Sequence, residues 1–313
     1  MEKKILAWVG ILFTTVFWAS SLIIAKIVYA ELTPILFVAL RYTLACPFLL
    51  ALLMMRKKYK TNMSEIKSNI RLLFLAGMTG PFLSQILQYI GLSLTAAGET
   101  LLLLNFTPVF AVVLAAPLLG ERITADKVGG LILATLGASL IVIGGTPIDS
   151  SIGPIRLIGD LIIIVSTLLF ALNGVVGKMV VKNIDSVSVT FYSSLLAVPF
   201  IWISAFLLED ASILLSLSSA TWLAVVWVAI VNTFIAFVLY YESMKYIEAS
   251  RVQIALNLIG VWGILMSILI LGESTNIIQI LGGAVTIIGV VIAQKMQSKE
   301  GKKMAIVVKD HDP

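Results

Sequence analysis

Along most of this chain, polar residues are confined to short intervals between apolar runs of helix length. Ten such runs are read, at roughly 6–28, 34–55, 70–93, 98–118, 126–145, 157–180, 187–208, 218–242, 249–271 and 277–296. Each comes close to the ~20 residues a helix needs to cross the hydrocarbon of a bilayer. None alternates in polarity as the strands of a membrane barrel do. The expected fold class is therefore all-α, a polytopic membrane protein of ten transmembrane helices. Short intervals make most sequential helices antiparallel neighbours. The longest intervals are the basic stretch 56–69 and the stretch 146–156, which carries Pro147, Gly153 and Pro154.

The pattern is written twice. Ala97, Asn105, Gly120 and Glu121 return as Ala249, Asn257, Gly272 and Glu273, all at an offset of 152 without a gap. The same offset pairs Thr15 with Thr167, Lys26 with Lys178, Tyr89 with Tyr241, Gly130 with Gly282 and Gly137 with Gly289. A unit of membrane-spanning length repeated in register implies one domain made of two halves. Five spans is an odd number, so the second half enters the membrane from the opposite face and the repeat is inverted. The expected divisions are 1–146 (first repeat), 147–156 (extracytoplasmic linker), 157–297 (second, inverted repeat) and 298–313 (cytoplasmic polar tail).

Composition agrees: hydrophobic residues make up 59% of the chain and charged residues 12%, against roughly 25% charged in soluble domains. The net charge of +5 does not call for nucleic acid, because basic residues flanking spans set orientation. An N-in, C-in topology puts Lys3, Lys4, Arg56, Lys57, Lys58, Lys60, Lys67, Arg71, Arg122 and Lys127 on the cytoplasmic side, with Arg251 and the tail lysines. The other side keeps Arg156 with acidic Glu31, Asp149, Glu209 and Asp210. The first run is too long for a signal peptide and is read as a retained helix. One cysteine, Cys46, excludes an intrachain disulfide, and the one histidine, His311, lies in the tail. No metal site and no cofactor are expected.

Polar residues inside the runs carry the candidate chemistry. Thr14, Trp18, Ser21 and Ala25 share one helical face, and their counterparts are Ser166, Phe170, Asn173 and Gly177. Such stripes fit either two helices facing a wet cavity or ordinary interhelical packing. Asn105 and Asn257 lie about 10 Å into the membrane from opposite faces. An amide there needs partners, either substrate or a neighbouring helix. Pro108 and Gly260 mark helix interruptions at matching places, a pointer to a transporter site. Gln85, Gln88 and Tyr89, with Asn232, Tyr240 and Tyr241, could hold a ligand through neutral dipoles and rings. Arg41 is an intramembrane charge, functional by default; it could attract a substrate carboxylate or anchor a network with a carbonyl or Glu99. Glu121 and Glu273 end two helices on opposite faces and read first as structural, then as gates.

The pieces FWASSLIIAK, RYTLACPFLLALLM, LSLTAAGETLLLLNFTPVFAVVLAAPLLGERIT and GGLILATLGASLIVIGG resemble the first half of an EamA-type transporter, the ten-helix branch of the drug/metabolite transporter superfamily. YYESMKYIEASRVQIALNLIGVW, LGE at 271–273 and LGGAVTIIGVVIA resemble it again in the second half. The resemblance implies two inverted five-helix bundles around a central cavity and export of small organic metabolites such as amino acids. Two departures stand out: the position matching Arg41 is Ser193, and that matching Pro108 is Gly260.

The expected function is a secondary transporter in the cytoplasmic membrane, moving small metabolites, and most concretely exporting amino acids, by alternating access. A proton-coupled exporter of cationic drugs would want a carboxylate in mid-membrane, and the carboxylates here lie toward span ends. A sugar-phosphate or nucleotide-sugar carrier would want several basic residues in the cavity, where Arg41 stands alone. An enzyme would need paired acid–base or nucleophilic groups. A non-transporting scaffold would have a dry core. The partners expected are a small-molecule substrate and the lipid bilayer. The glycines of the fifth and tenth spans permit close helix approach, either within the scaffold or in a homodimer.

Overall fold

The apolar runs become helices in a computed structural model that describes residues 2–55, 63–94, 103–145, 154–271 and 276–309. Among these residues every regular element is helical. Among the described residues nine helices are long and apolar enough to cross a membrane, and the shorter Thr107–Leu119 makes a tenth apolar helix. The first and second spans are Glu2–Val28 and Pro34–Met55. The fifth, sixth and seventh are Ala125–Gly145, Pro154–Val180 and Ser186–Leu208. The tenth, Ile277–Lys309, continues as helix past the end of its apolar run. The basic interval before the third span contains a short helix, Met63–Ser68.

Glycine explains how the halves are joined. A Cβ on Gly130 would lie 2.4 Å from the Ala293 nitrogen, one on Gly137 2.4 Å from that of Thr286, and one on Gly289 2.3 Å from that of Ala134. Backbones in such contact admit no side chain. Rising along the fifth span, Gly130, Gly137 and Gly144 meet Gly289, Gly282 and Asn276 in falling order along the tenth, so the two helices run antiparallel. They are also equivalent members of the two copies. A contact between equivalent antiparallel helices, which maps onto itself when the copies are exchanged, makes the repeat inverted, with its two-fold axis through the crossing.

The remaining packing obeys the same exchange. The second span packs on the seventh, where Trp202 Nε1 donates to Thr43 Oγ1 at 2.9 Å. The first packs on the eighth and, equivalently, the sixth on the third. The fourth packs on the sixth and, equivalently, the ninth on the first. Polar caps close the helix ends: Glu209 accepts from Ile35 N (2.9 Å) and Leu36 N (2.7 Å), while Glu31 accepts from Ser218 N at 2.9 Å.

Two irregularities recur at the repeat offset. The third span is α-helical over Ile70–Gly77, π-helical over Met78–Ser84 and α-helical again over Gln85–Leu94. The eighth does the same over Ser219–Trp227, Val228–Ile235 and Ala236–Met244. Wide π turns occur where helices serve a site. The fourth span breaks at Asn105–Phe106 before Thr107–Leu119, and the ninth at Leu256–Asn257, between Ala249–Ala255 and Leu258–Leu271.

Candidate functional site

The breaks arise differently in the two copies. Pro108 sits in the first turn of its helix, where its missing N–H goes unneeded. The carbonyl it would have served, that of Leu104, accepts from Thr107 Oγ1 at 2.7 Å. The ninth span breaks without proline, through short-range bonds such as Ile259 N to Leu256 O (2.9 Å). Gly260, where sequence placed the interruption, stands inside the following helix, and a Cβ there would make only ordinary contact with Ile141. Asn105 and Asn257 each leave a buried side-chain nitrogen unpartnered at their break.

At the π segments the neighbouring span donates into the helix at equivalent points. Ser166 Oγ donates to Ser84 O at 2.8 Å, and its counterpart Thr14 Oγ1 donates to Ala236 O at 3.3 Å. Asn173 Nδ2 donates to Ala76 O at 2.8 Å; the equivalent carbonyl, Val228 O, accepts from Thr233 Oγ1 at 3.2 Å. Each crossing holds one asparagine, but on opposite helices. Asn173 of the sixth span faces Gly80 of the third, where a Cβ would meet its amide at 2.5 Å. At the other crossing the amide belongs to Asn232 of the eighth span, which donates to Phe17 O and, at 3.4 Å, to Ser20 Oγ. Ser21 occupies the position matching Asn173 and bonds back to Trp18 O.

Trp18 closes this crossing, donating from Nε1 to Asn232 O at 3.0 Å and packing on Phe170, Phe237 and Tyr240. Tyr241 donates to Asn173 Oδ1 at 3.2 Å, its ring filling space left by Gly177. Tyr240 accepts from Gln253 Nε2 at 2.8 Å. These inner groups are sealed from solvent.

On the other side of mid-membrane, Arg41 is 5% exposed. Its Nε donates to Thr233 Oγ1 at 3.0 Å, one terminal nitrogen donates to Gln85 Oε1 at 3.4 Å, and its charge lies 5.3 Å over the Tyr42 ring. Gln85, Gln88, Tyr89, Ser21 and Asn105 are only partly buried. Tyr29 stands edge-on to Tyr89 at 5.8 Å. Glu99 and Glu273 lie outside the described residues.

The face carrying the N-terminus is tied shut by charge. Glu121 accepts from Ala249 N at 2.6 Å and Ser250 N at 3.2 Å, so the end of the fourth span caps the start of the ninth. Lys127, 1% exposed, lies 3.5 Å from Glu121 and 3.1 Å from Glu248. Arg251 pairs with Glu248 and donates to Ala293 O. Burial works against the Glu248 charge, but the bond from Arg251 and the Lys127 charge outweigh it and hold the carboxyl below its ordinary range. Lys178 donates to Ile247 O at 2.8 Å and also to Met244 O. Periodicity does not single out Tyr29, Tyr42, Thr233, Lys127, Glu248 or Arg251. The readable signals are Thr233 beside Asn232 in an apolar run, and the one-turn spacing of Glu248 and Arg251.

A duplicated, inverted helical bundle with broken helices and a polar interior defines a polytopic membrane transporter. The EamA-like transporter family matches residues 5–143 and again 157–294, and this chain belongs to that family. It is 26% identical over 296 residues to the uncharacterized transporter YyaM of Bacillus subtilis, covering 93% of this chain and 94% of that one. An uncharacterized transporter of Archaeoglobus fulgidus is 26% identical over 288 residues, covering 91% of this chain and 96% of that one. A solved crystal structure superposes with a TM-score of 0.80 at 18% identity, covering 95% of this chain and 98% of that one, which establishes a shared fold.

Proposed function

We propose that this protein is a secondary transporter that moves small organic metabolites, foremost amino acids outward, across the cytoplasmic membrane by alternating access. The N- and C-termini lie in the cytoplasm, the orientation favoured by the basic residues flanking the spans. The observation that carries the reading is unequal access at equal positions. Tyr89 and Asn105 are partly accessible, whereas the same residue types at the same repeat positions, Tyr241 and Asn257, are 1% and 4% exposed. Like side chains at matching positions thus meet unlike surroundings, in part because Phe237 and Tyr240 stand where Gln85 and Gln88 stand in the first copy. Two copies of one unit therefore adopt two conformations, and exchanging those conformations would seal the outer side and open the inner one.

Single cysteines at Asn105 and Asn257, in a Cys46→Ser background, test the cycle with a membrane-impermeant thiol reagent added from either side. The expected result is fast labelling of position 105 from outside and slow labelling of position 257 from inside, with substrate changing the two rates in opposite senses. Equal labelling of both from one side would indicate a pore, and labelling of neither a dry scaffold. Efflux of labelled amino acids from proteoliposomes tests the substrate class.

A further inference from the structure

Arg41 marks a part of the bundle that is rich in hydrogen-bond donors and poor in acceptors. A guanidinium carries five N–H groups, and the bonds to Thr233 and Gln85 account for two of them. Among the described residues no carboxylate lies within ion-pair distance of Arg41, although it is buried. A charge held out of water without a counter-ion is unfavourable unless something completes it. Around it stand further donors. The hydroxyls of Tyr29 and Tyr42 are buried, Tyr42 with its ring under the Arg41 charge and Tyr29 against Tyr89. The oxygen of Gln85 accepts from Arg41 itself. The second copy has nothing comparable, since Ser193 replaces Arg41 and bonds to its own helix at Val189 O, 2.7 Å away.

A purely structural buried arginine would be expected to hold a carboxylate, as Arg251 holds Glu248 while donating to Ala293 O. Instead the guanidinium retains an unfilled edge beside the partly accessible Gln85 and Tyr89. Planar, bidentate donors of this kind match the two oxygens of a carboxylate. We infer that Arg41, with the hydroxyls of Tyr29 and Tyr42, forms an anion-binding subsite that takes the carboxylate of the transported solute, so that substrates are organic acids or amino acids rather than cations. This inference rests on the transporter reading for its context.

The experiment is calorimetric titration of the purified full chain with four probes of similar shape: phenylacetate, L-phenylalanine, phenylacetamide and phenethylamine. Expected is binding of one or both carboxylates at least roughly tenfold tighter than of the amide or the amine. Phenylacetate ahead of phenylalanine would identify an organic-acid carrier, and the reverse order an amino-acid carrier. Arg41→Gln should erase the preference; Arg41→Lys should keep the sign of the preference and reduce its size. Tyr29→Phe and Tyr42→Phe, which keep the ring packing, should each weaken carboxylate binding by about threefold. Amine binding equal to or tighter than carboxylate binding would overturn the inference. So would the lack of any carboxylate-over-amide preference, or a preference that survives Arg41→Gln in folded protein. Binding is read without transport, so a failed cysteine-access test alongside carboxylate selectivity would sink the alternating-access reading and leave this subsite standing.

Discussion

Tyr89 and Tyr241 hold the same place in two copies of one helical unit, as do Asn105 and Asn257, yet their surroundings differ. Tyr89 and Asn105, on the side of Arg41, are partly accessible; Tyr241, packed on Phe237 and Tyr240, and Asn257, on the side of the Glu121–Lys127–Glu248–Arg251 cluster, are buried. Where the residues also differ, the trend is the same: Gln85 and Gln88 on the Arg41 side match Phe237 and Tyr240 on the Lys127 side. The comparison separates two layers of design. The crossing of the fifth and tenth spans is symmetric in its contacts and in the glycines that make them, Gly130 with Gly282 and Gly137 with Gly289. The regions on either side of mid-membrane are symmetric in position only, one lined by Gln85 and Gln88 where the other carries Phe237 and Tyr240.

The sharpest way to break this comparison is to remove the charge that ties the face carrying the N-terminus. Lys127→Met strips a buried cation from two carboxylates, and losing one partner of a buried pair costs about 3–5 kcal/mol. Because those bonds belong to the sealed state, labelling of a cysteine at position 257 from the N-terminal face should accelerate by roughly 100-fold or more. An unchanged rate would mean the cluster is not a latch. Next come Gly137→Val and Gly289→Val, equivalent positions whose side chains would collide with the opposing backbone. Each should lower stability by about 1–3 kcal/mol, and by matching amounts in thermal unfolding. Unequal losses would contradict a symmetric scaffold.

Smaller still are Ser166→Ala and Thr14→Val, which delete the equivalent bonds into the π segments, at about 1 kcal/mol each. The Ser166 bond is the shorter, 2.8 Å against 3.3 Å, so its loss should be the larger of the two in denaturation by heat. The smallest effect concerns pH. Glu248 has its folded pKa depressed below the ordinary 4.5. Its contribution is therefore complete above that ordinary value and lost as pH falls through the folded one. The unfolding midpoint of the wild type should drop over that acidic range relative to Glu248→Gln. Parallel pH profiles would show that the carboxylate contributes nothing there.

Much of the architecture was legible because it depends on length and repetition. A run of about 20 apolar residues has few structural options in a membrane, and an offset shared by Asn105 and Asn257 or Gly137 and Gly289 survives any uncertainty in helix ends. The breaks were legible in the first copy through Pro108. In the second copy Gly260 stands as far beyond the Leu256–Asn257 break as Pro108 stands beyond Asn105, but a glycine is a weaker mark than a proline. The π segments were not legible. Pro81 hints at the first, but the eighth span carries no proline, and an extra residue per turn does not disturb an all-apolar run. The ion cluster depends on three spans converging, which no local pattern encodes.

The asparagines at the two crossings carry a consequence for ancestry. A dimer built from two first halves would set Ser21 against Gly80 and leave a hole between the helices; one built from two second halves would set Asn173 against Asn232 and jam them. Each half has come to depend on the other's shape, so this fused chain no longer contains a workable homodimer of either part. The two crossings fit only as an unlike pair, Asn173 against Gly80 in one and Asn232 against Ser21's helix in the other.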